Sequence, residues 1–180
     1  MNAVNLERLR AGINLHAILR NLEDLSQLDD NAKALLAGHQ LRIGMHVPGI
    51  DPLTLEVKDG GIQARRTSEP GCLRLQFVSP RHFNGMVSGS SMPLPTGGLK
   101  HLSFLKSNFE ALAKDLEKYL RPGKDDLRDE VFREKNTRLT ASAALYALAE
   151  IANNDPVGQQ IVKAMGEGVA LVEVPGVLAY

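Results

Sequence analysis

From Gln40 to Phe77 the apolar residues fall on alternate positions in successive short runs, a periodicity that confines this part of the chain to a sheet with one buried face. In the first run Leu41, Ile43, Met45 and Val47 alternate with Gln40, Arg42, Gly44 and His46. Pro48-Gly49 leads to Leu53, Leu55 and Val57, and Asp59-Gly60-Gly61 supplies the chemistry of a tight hairpin, with a return strand over about Gly61 to Arg66. The turn Ser68-Glu69-Pro70-Gly71 then introduces Leu73, Leu75 and Phe77 opposite Arg74 and Gln76. Four strands joined by short turns predict an antiparallel meander. Leu99 to Leu105, where Leu99, Leu102, Phe104 and Leu105 follow neither period cleanly, is read as a fifth strand.

Helical spacing surrounds this sheet. Ile13, Leu15, Ile18, Leu19, Leu22 and Leu25 form one apolar stripe, and a shorter helix follows from about Asp30 to Ala37, N-capped by Asp29 or Asp30 and closed by Gly38. Ser79-Pro80 opens a short helix carrying Phe83, Met86 and Val87 on one face and ending by Gly89. Ser90 to Gly98, with Pro93, Pro95, Gly97 and Gly98 around Met92 and Leu94, reads as an irregular loop. Ser107 and Glu110 form a capping box before the stripe Phe109, Leu112, Leu116, Tyr119 and Leu120, which Pro122-Gly123 ends. A charged stretch from Lys124 to Lys135 precedes an alanine-rich helix over about Thr137 to Ala152, with Leu139, Ala143, Tyr146 and Ala149 or Glu150 at successive turns. Asp155-Pro156 caps a further helix to about Met165, Gly168 to Val174 reads as a strand, and the chain ends on the apolar Pro175 to Tyr180.

The expected class is therefore α+β, an antiparallel sheet of about five strands covered on one face by helices. The boundary at Arg121 to Lys124 divides it into a domain over 1–122 and a helical extension with a short C-terminal strand over 123–180. That extension packs on the domain or at a dimer interface.

At 180 residues the chain is long enough to close one core unaided. Its 21 basic and 21 acidic residues cancel, so no overall positive field gathers a nucleic-acid backbone. A single cysteine excludes an internal disulfide, and the N-terminus shows no basic segment followed by an apolar core and cleavage site; a cytoplasmic location is expected. No run of about 18 uncharged apolar residues spans a bilayer, although transient membrane contact stays open.

Catalytic chemistry has little to stand on. Cys72 begins a predicted strand, where a small buried hydrophobe is the commoner role, and His16, His39, His46, His82 and His101 are scattered without the spacing of a metal pair or any CxxC motif. The glycine-rich pieces Asp59-Gly60-Gly61 and Gly166-Glu167-Gly168 match neither the dinucleotide fingerprint nor the phosphate-binding loop. Glu110 and Lys114 make an i,i+4 pair that steadies a helix face. Arg65-Arg66 at a strand end suits an anionic head group in chemistry but reads as a solvated basic pair. No enzyme activity, metal or cofactor is expected.

The run Leu53-Thr54-Leu55-Glu56-Val57-Lys58-Asp59-Gly60-Gly61, the strand Leu73-Arg74-Leu75-Gln76-Phe77, the helix from Ser79 ending in Ser88-Gly89, and Gly98-Leu99-Lys100 occur in an order that resembles the sterol carrier protein type-two family over about Leu15 to Leu120. The chain departs from that pattern by inserting Ser91-Met92-Pro93-Leu94-Pro95-Thr96 and by everything after Leu120. The resemblance implies an apolar tunnel between sheet and helices that holds a sterol, fatty acid or acyl-CoA. The residues expected to line it are Phe77, Phe83, Met86, Val87, Met92, Leu102, Phe104, Phe109 and Leu112.

Each methylene taken from water contributes about 0.8 kcal/mol, so a long acyl chain gains on the order of 10 kcal/mol. Association costs roughly 4–15 kcal/mol, which leaves micromolar binding within reach of a site with no catalytic group. Lipid carriage is the first functional expectation. The alternative is an interaction module without a small ligand, dimerising through the C-terminal helices, because apolar residues surround the alanine-rich helix as if it were buried on two sides. An enzyme of unrecognised type ranks third.

Overall fold

A computed structural model describes residues 3–70 and 73–165 together with the backbone pairs 173–174 and 178–179. The elements in chain order are a long composite helix α1 (3–28), α2 (Asp30–Leu36), β1 (Leu41–His46), β2 (Leu53–Lys58), β3 (Gly61–Arg65), β4 (Leu73–Gln76), α3 (Pro80–Val87), β5 (Leu94–Pro95), a composite helix α4 (99–120), α5 (Glu130–Asn154) and α6 (Pro156–Met165). The chain is α+β, and the alternation read from sequence builds the expected one-faced sheet. Leu41, Ile43, Met45, Leu53, Leu55, Val57, Ile62, Leu73 and Leu75 are all buried. Arg42, Glu56, Arg65 and Glu69 form ion pairs on the other side.

The strand order is β3-β2-β1-β4-β5. β1, β2 and β3 form an antiparallel meander, closed at the hairpin by Asp59 and Gly60, both at positive φ as a tight two-residue loop requires. The expected continuation to a fourth meander strand is overturned, because β4 pairs with β1 and runs parallel to it, Ile43 opposite Leu73 and Met45 opposite Leu75. The sheet is therefore mixed. The segment after β3 makes this possible by crossing the polar face: Thr54 donates its hydroxyl to the Thr67 carbonyl at 2.6 Å, and Glu69 meets Arg42 and Arg65.

The fifth strand is also placed differently. β5 pairs antiparallel with β4 through Leu94 and Pro95, inside the segment read as loop, whereas Leu99 to Leu105 is the start of α4. Gly98, at φ +62°, reverses the chain between the two. Leu99, Leu102 and Leu105 then recur every three residues, a helical spacing that the short window hid. Ser107 consequently lies inside a helix and caps nothing; its hydroxyl donates to the Ser103 carbonyl at 2.8 Å.

Other helix ends follow local chemistry. Asp29 accepts from the Ala32 N–H and Ser79 from the His82 N–H, while Gly38 takes the left-handed conformation after α2. The stripe from Ile13 to Leu25 belongs to a longer helix, α1, that starts at Ala3 and widens into a π-type turn at Asn14–Ile18. α5 likewise begins earlier than expected, at Glu130, where Asp129 caps the Phe132 N–H inside the charged stretch.

The core is a single cluster in which Leu15, Leu22, Leu25 and Leu36 from the first helices and Phe104, Leu112 and Leu116 from α4 cover the sheet. Each such residue contributes roughly 1.5–3 kcal/mol by leaving water. α5 adds Leu139 to this core and stacks Phe132 on Tyr119, and it docks by polar groups as well: Asn21 donates to the Leu139 carbonyl at 2.7 Å, Lys135 reaches Asp29 at 3.0 Å, and the Arg20 guanidinium lies 4.4 Å from the Tyr146 ring centre. The expected burial of α5 on two sides is not found within this chain. Leu139, Ser142, Ala143 and Glu150 face inward while Leu148 and Ile151 are open. Near the C-terminus Glu173–Val174 pairs with Leu178–Ala179; Cys72 and most of the predicted strand from Gly168 lie outside the described residues.

Candidate functional site

Two regions carry chemistry beyond packing. The first is apolar and involves the nine residues expected to line a tunnel, which the structure divides between the closed core and the surface. Phe77, at the end of β4, and Phe83, on α3, meet edge to face with ring centres 4.9 Å apart. Phe104 and Leu112 of α4 are buried in the same cluster, and Met86 and Phe109 are half-buried against it. Leu102 is half-exposed, while Val87 and Met92 are open to solvent, Met92 by 78%.

The open residues have company. Val78, Leu94 and Leu99 are also exposed, and α3, β4 and the segment that carries Met92 and Leu94 are tied together. His82 bonds the Met92 carbonyl through Nε2 at 2.9 Å, Ser91 donates to the His82 carbonyl at 2.6 Å, and Leu94 sits opposite Gln76 in the sheet. The 88–98 segment is thus pinned to α3 with its apolar side chains turned outward. Lone exposed apolar residues are ordinary; here Val87, Met92 and Leu94 lie on segments hydrogen-bonded to one another.

The second region is a polar cavity of about 210 Å³, lined in part by Arg8, Gly12 and His16 of α1, Gly49 to Asp51 of the β1–β2 turn, Arg66 beyond β3, and Glu150 with Asn153 and Asn154 at the end of α5. Arg66 forms an ion pair with Glu150, which is 2% exposed, and its other arm lies 3.9 Å from Asp51. His16 is equally buried, and its Nε2 donates to the Asp51 carbonyl at 2.9 Å. Burial, reinforced by the Arg66 charge and only partly opposed by that hydrogen bond, pushes the His16 imidazole down to about 4, so it is neutral near pH 7. Burial also draws the Arg66 guanidinium below its usual range.

Sequence reading missed this cavity, having set Arg66 aside as solvated. One signal was present: Leu139, Ala143, Tyr146 and Glu150 recur at helical spacing, which puts a carboxylate on the inward stripe of α5 and demands a cationic partner. The partner's identity lay far away in sequence. Among the described residues no cluster of three or more His, Cys, Asp or Glu is disposed to hold a metal ion, and no helix is long and apolar enough to cross a membrane. Comparison of the chain with family models, curated proteins and solved structures gives no match.

Proposed function

We propose that this protein binds an apolar molecule, such as a fatty acid, sterol or acyl-CoA, without transforming it, and that the molecule meets the protein where α3 and the 88–98 segment converge. The observation that carries the reading is the set of exposed apolar side chains Val87 on α3 and Met92 and Leu94 on the segment bonded to it, with Val78 before α3, Leu99 after the segment and the flexible thioether of Met86 half-buried against the core. The order of elements along the chain, helices, strands, a Ser-Pro-capped short helix and a closing helix, supports the likeness to sterol carrier protein type-two domains. A delipidated sample titrated with a fluorescent long-chain fatty acid and a fluorescent sterol is the test. Uptake of either at micromolar concentration, weakened at least tenfold by Met92→Asp combined with Leu94→Asp while circular dichroism is unchanged, is the expected result. No uptake of either probe, together with a clean mass spectrum of the protein as purified, overturns it.

A second reading, self-association through the C-terminal helices, has its own observation. Between Leu139 and Ile161 the only charged residues are Glu150, which is buried, and Asp155, whose carboxylate caps Val157 and Gly158, whereas Leu148, Ile151, Val157 and Ile161 are exposed. A face without charge meets its own two-fold copy without like-charge repulsion. Sedimentation at micromolar protein reports a dimer on this reading, reduced to monomer by Ile151→Glu. A monomer at all concentrations removes it.

A further inference from the structure

The polar cavity between α1, the β1–β2 turn and α5 plays no part in the apolar reading, and its charges are arranged for a ligand of another kind. Arg66 bridges two carboxylates, the buried Glu150 and the exposed Asp51. That trio leaves one negative charge in excess, and neutral His16 adds nothing to it. Arg8 lines the same cavity and forms no ion pair among the described residues. The β1–β2 turn makes room for it: Gly49, at φ +75°, has the Arg8 guanidinium 3.8 Å from where a side chain would begin. A cavity with an unspent guanidinium, an excess carboxylate and two amide side chains is complementary to a molecule that carries both signs of charge close together.

We infer that this cavity binds a small zwitterion of the amino-acid type, its carboxylate on the Arg8 guanidinium and its ammonium on Asp51, with the Asn153 amide in the lining beside them and the Asn154 amide donating to the Glu150 carbonyl. Guanidinium and carboxylate suit each other because two N–H donors match two acceptor oxygens. The volume of about 210 Å³ limits the ligand to a compact molecule. The back wall is fixed by Gly12, where a methyl group would stand 3.2 Å from Glu150 Oε2. Because the walls come from both the sheet domain and α5, an occupied cavity ties the C-terminal extension to the domain and stabilises the docked arrangement by mass action.

The test is isothermal titration of the full chain with glycine, L-alanine and L-serine, alongside acetate, ethylammonium and inorganic phosphate, each at the same ionic strength. Saturable binding of at least one amino acid, at least tenfold tighter than acetate or ethylammonium, is expected. Arg8→Ala and Asp51→Asn each weaken it tenfold or more with unchanged melting temperature of the free protein, since both side chains are largely exposed, and Arg8→Lys restores part of the loss. A tenfold excess of amino acid over its dissociation constant also slows proteolysis within residues 121–165. Three results overturn the inference: no saturable binding of any amino acid, acetate or phosphate binding as tightly as the best amino acid, or amino-acid affinity that survives Arg8→Ala. None of these outcomes depends on uptake of an apolar probe.

Discussion

His16 sits in the wall of the cavity, where burial and the Arg66 charge disfavour its protonation and the carbonyl and charge of Asp51 only partly offset them. The unfolded imidazole titrates at its ordinary value of 6.5 and the folded one at about 4. Its contribution to stability is therefore complete above about pH 6.5 and declines as pH falls toward 4, because only the unfolded chain takes up the proton in that window. A shift of this size corresponds to roughly 3 kcal/mol. Glu23 and Asp24, raised by burial, tilt the profile the other way, so the effect is read as a difference between proteins. Urea denaturation of the natural protein and of His16→Gln at pH 7 and at about pH 4.5 shows the natural protein losing about 2 kcal/mol more than the variant. Parallel pH profiles for the two would contradict the placement of His16. Asp29 shows the opposite balance: burial raises its carboxyl, yet hydrogen bonds from Tyr119 and the Ala32 N–H, with Lys135, hold it below the usual range.

At the scale of elements, what was legible in sequence is what neighbouring residues decide among themselves. Ser79 and Pro80 start α3 because a hydroxyl accepts the free His82 N–H and proline needs none there, and this holds whatever α3 packs against. Ser79→Ala removes that acceptor and costs about 1 kcal/mol in urea unfolding; Ser79→Asp, which keeps an acceptor, stays within about half of that. Equal losses in both variants would mean that the cap matters little and that the contacts of α3, the Phe77–Phe83 pair and the Asn84 bonds to Glu7 and Asn14, hold it. The hairpin at Asp59-Gly60 and the N-cap at Asp155 were legible for the same local reason. Ser107 was not, since a capping box describes a helix start and nothing in four residues reveals that the helix had begun at Leu99. The π-type turns in α1 and α4 also have no local signature.

Across the whole molecule, α5 is held to the rest of the chain by the core residue Leu139, by Phe132 stacked on Tyr119 and by polar contacts, among them the ion pair of Arg66 with Glu150, whose carboxylate is buried. Removing Arg66 alone strands a carboxylate in the interior, so Arg66→Ala destabilises the protein by about 3 kcal/mol. Adding Glu150→Leu removes the stranded charge and recovers most of that loss, with hydrogen exchange showing α5 protected again. A double variant no more stable than Arg66→Ala would show that α5 does not depend on this pair. The sequence by itself determined the one-faced strands, the caps at Ser79 and Asp155 and the tight turn at Asp59-Gly60, because side-chain alternation and backbone hydrogen bonding act over a few residues. Only the tertiary structure decided that β4 lies parallel to β1, that Leu94 and Pro95 form the edge strand, which aromatic residues are closed core and which apolar ones face out. It alone brought His16, Arg66 and Glu150 to one cavity. These are choices among pairings distant along the chain, made by which arrangement buries the apolar face while leaving every buried charge a partner, and no local pattern encodes them.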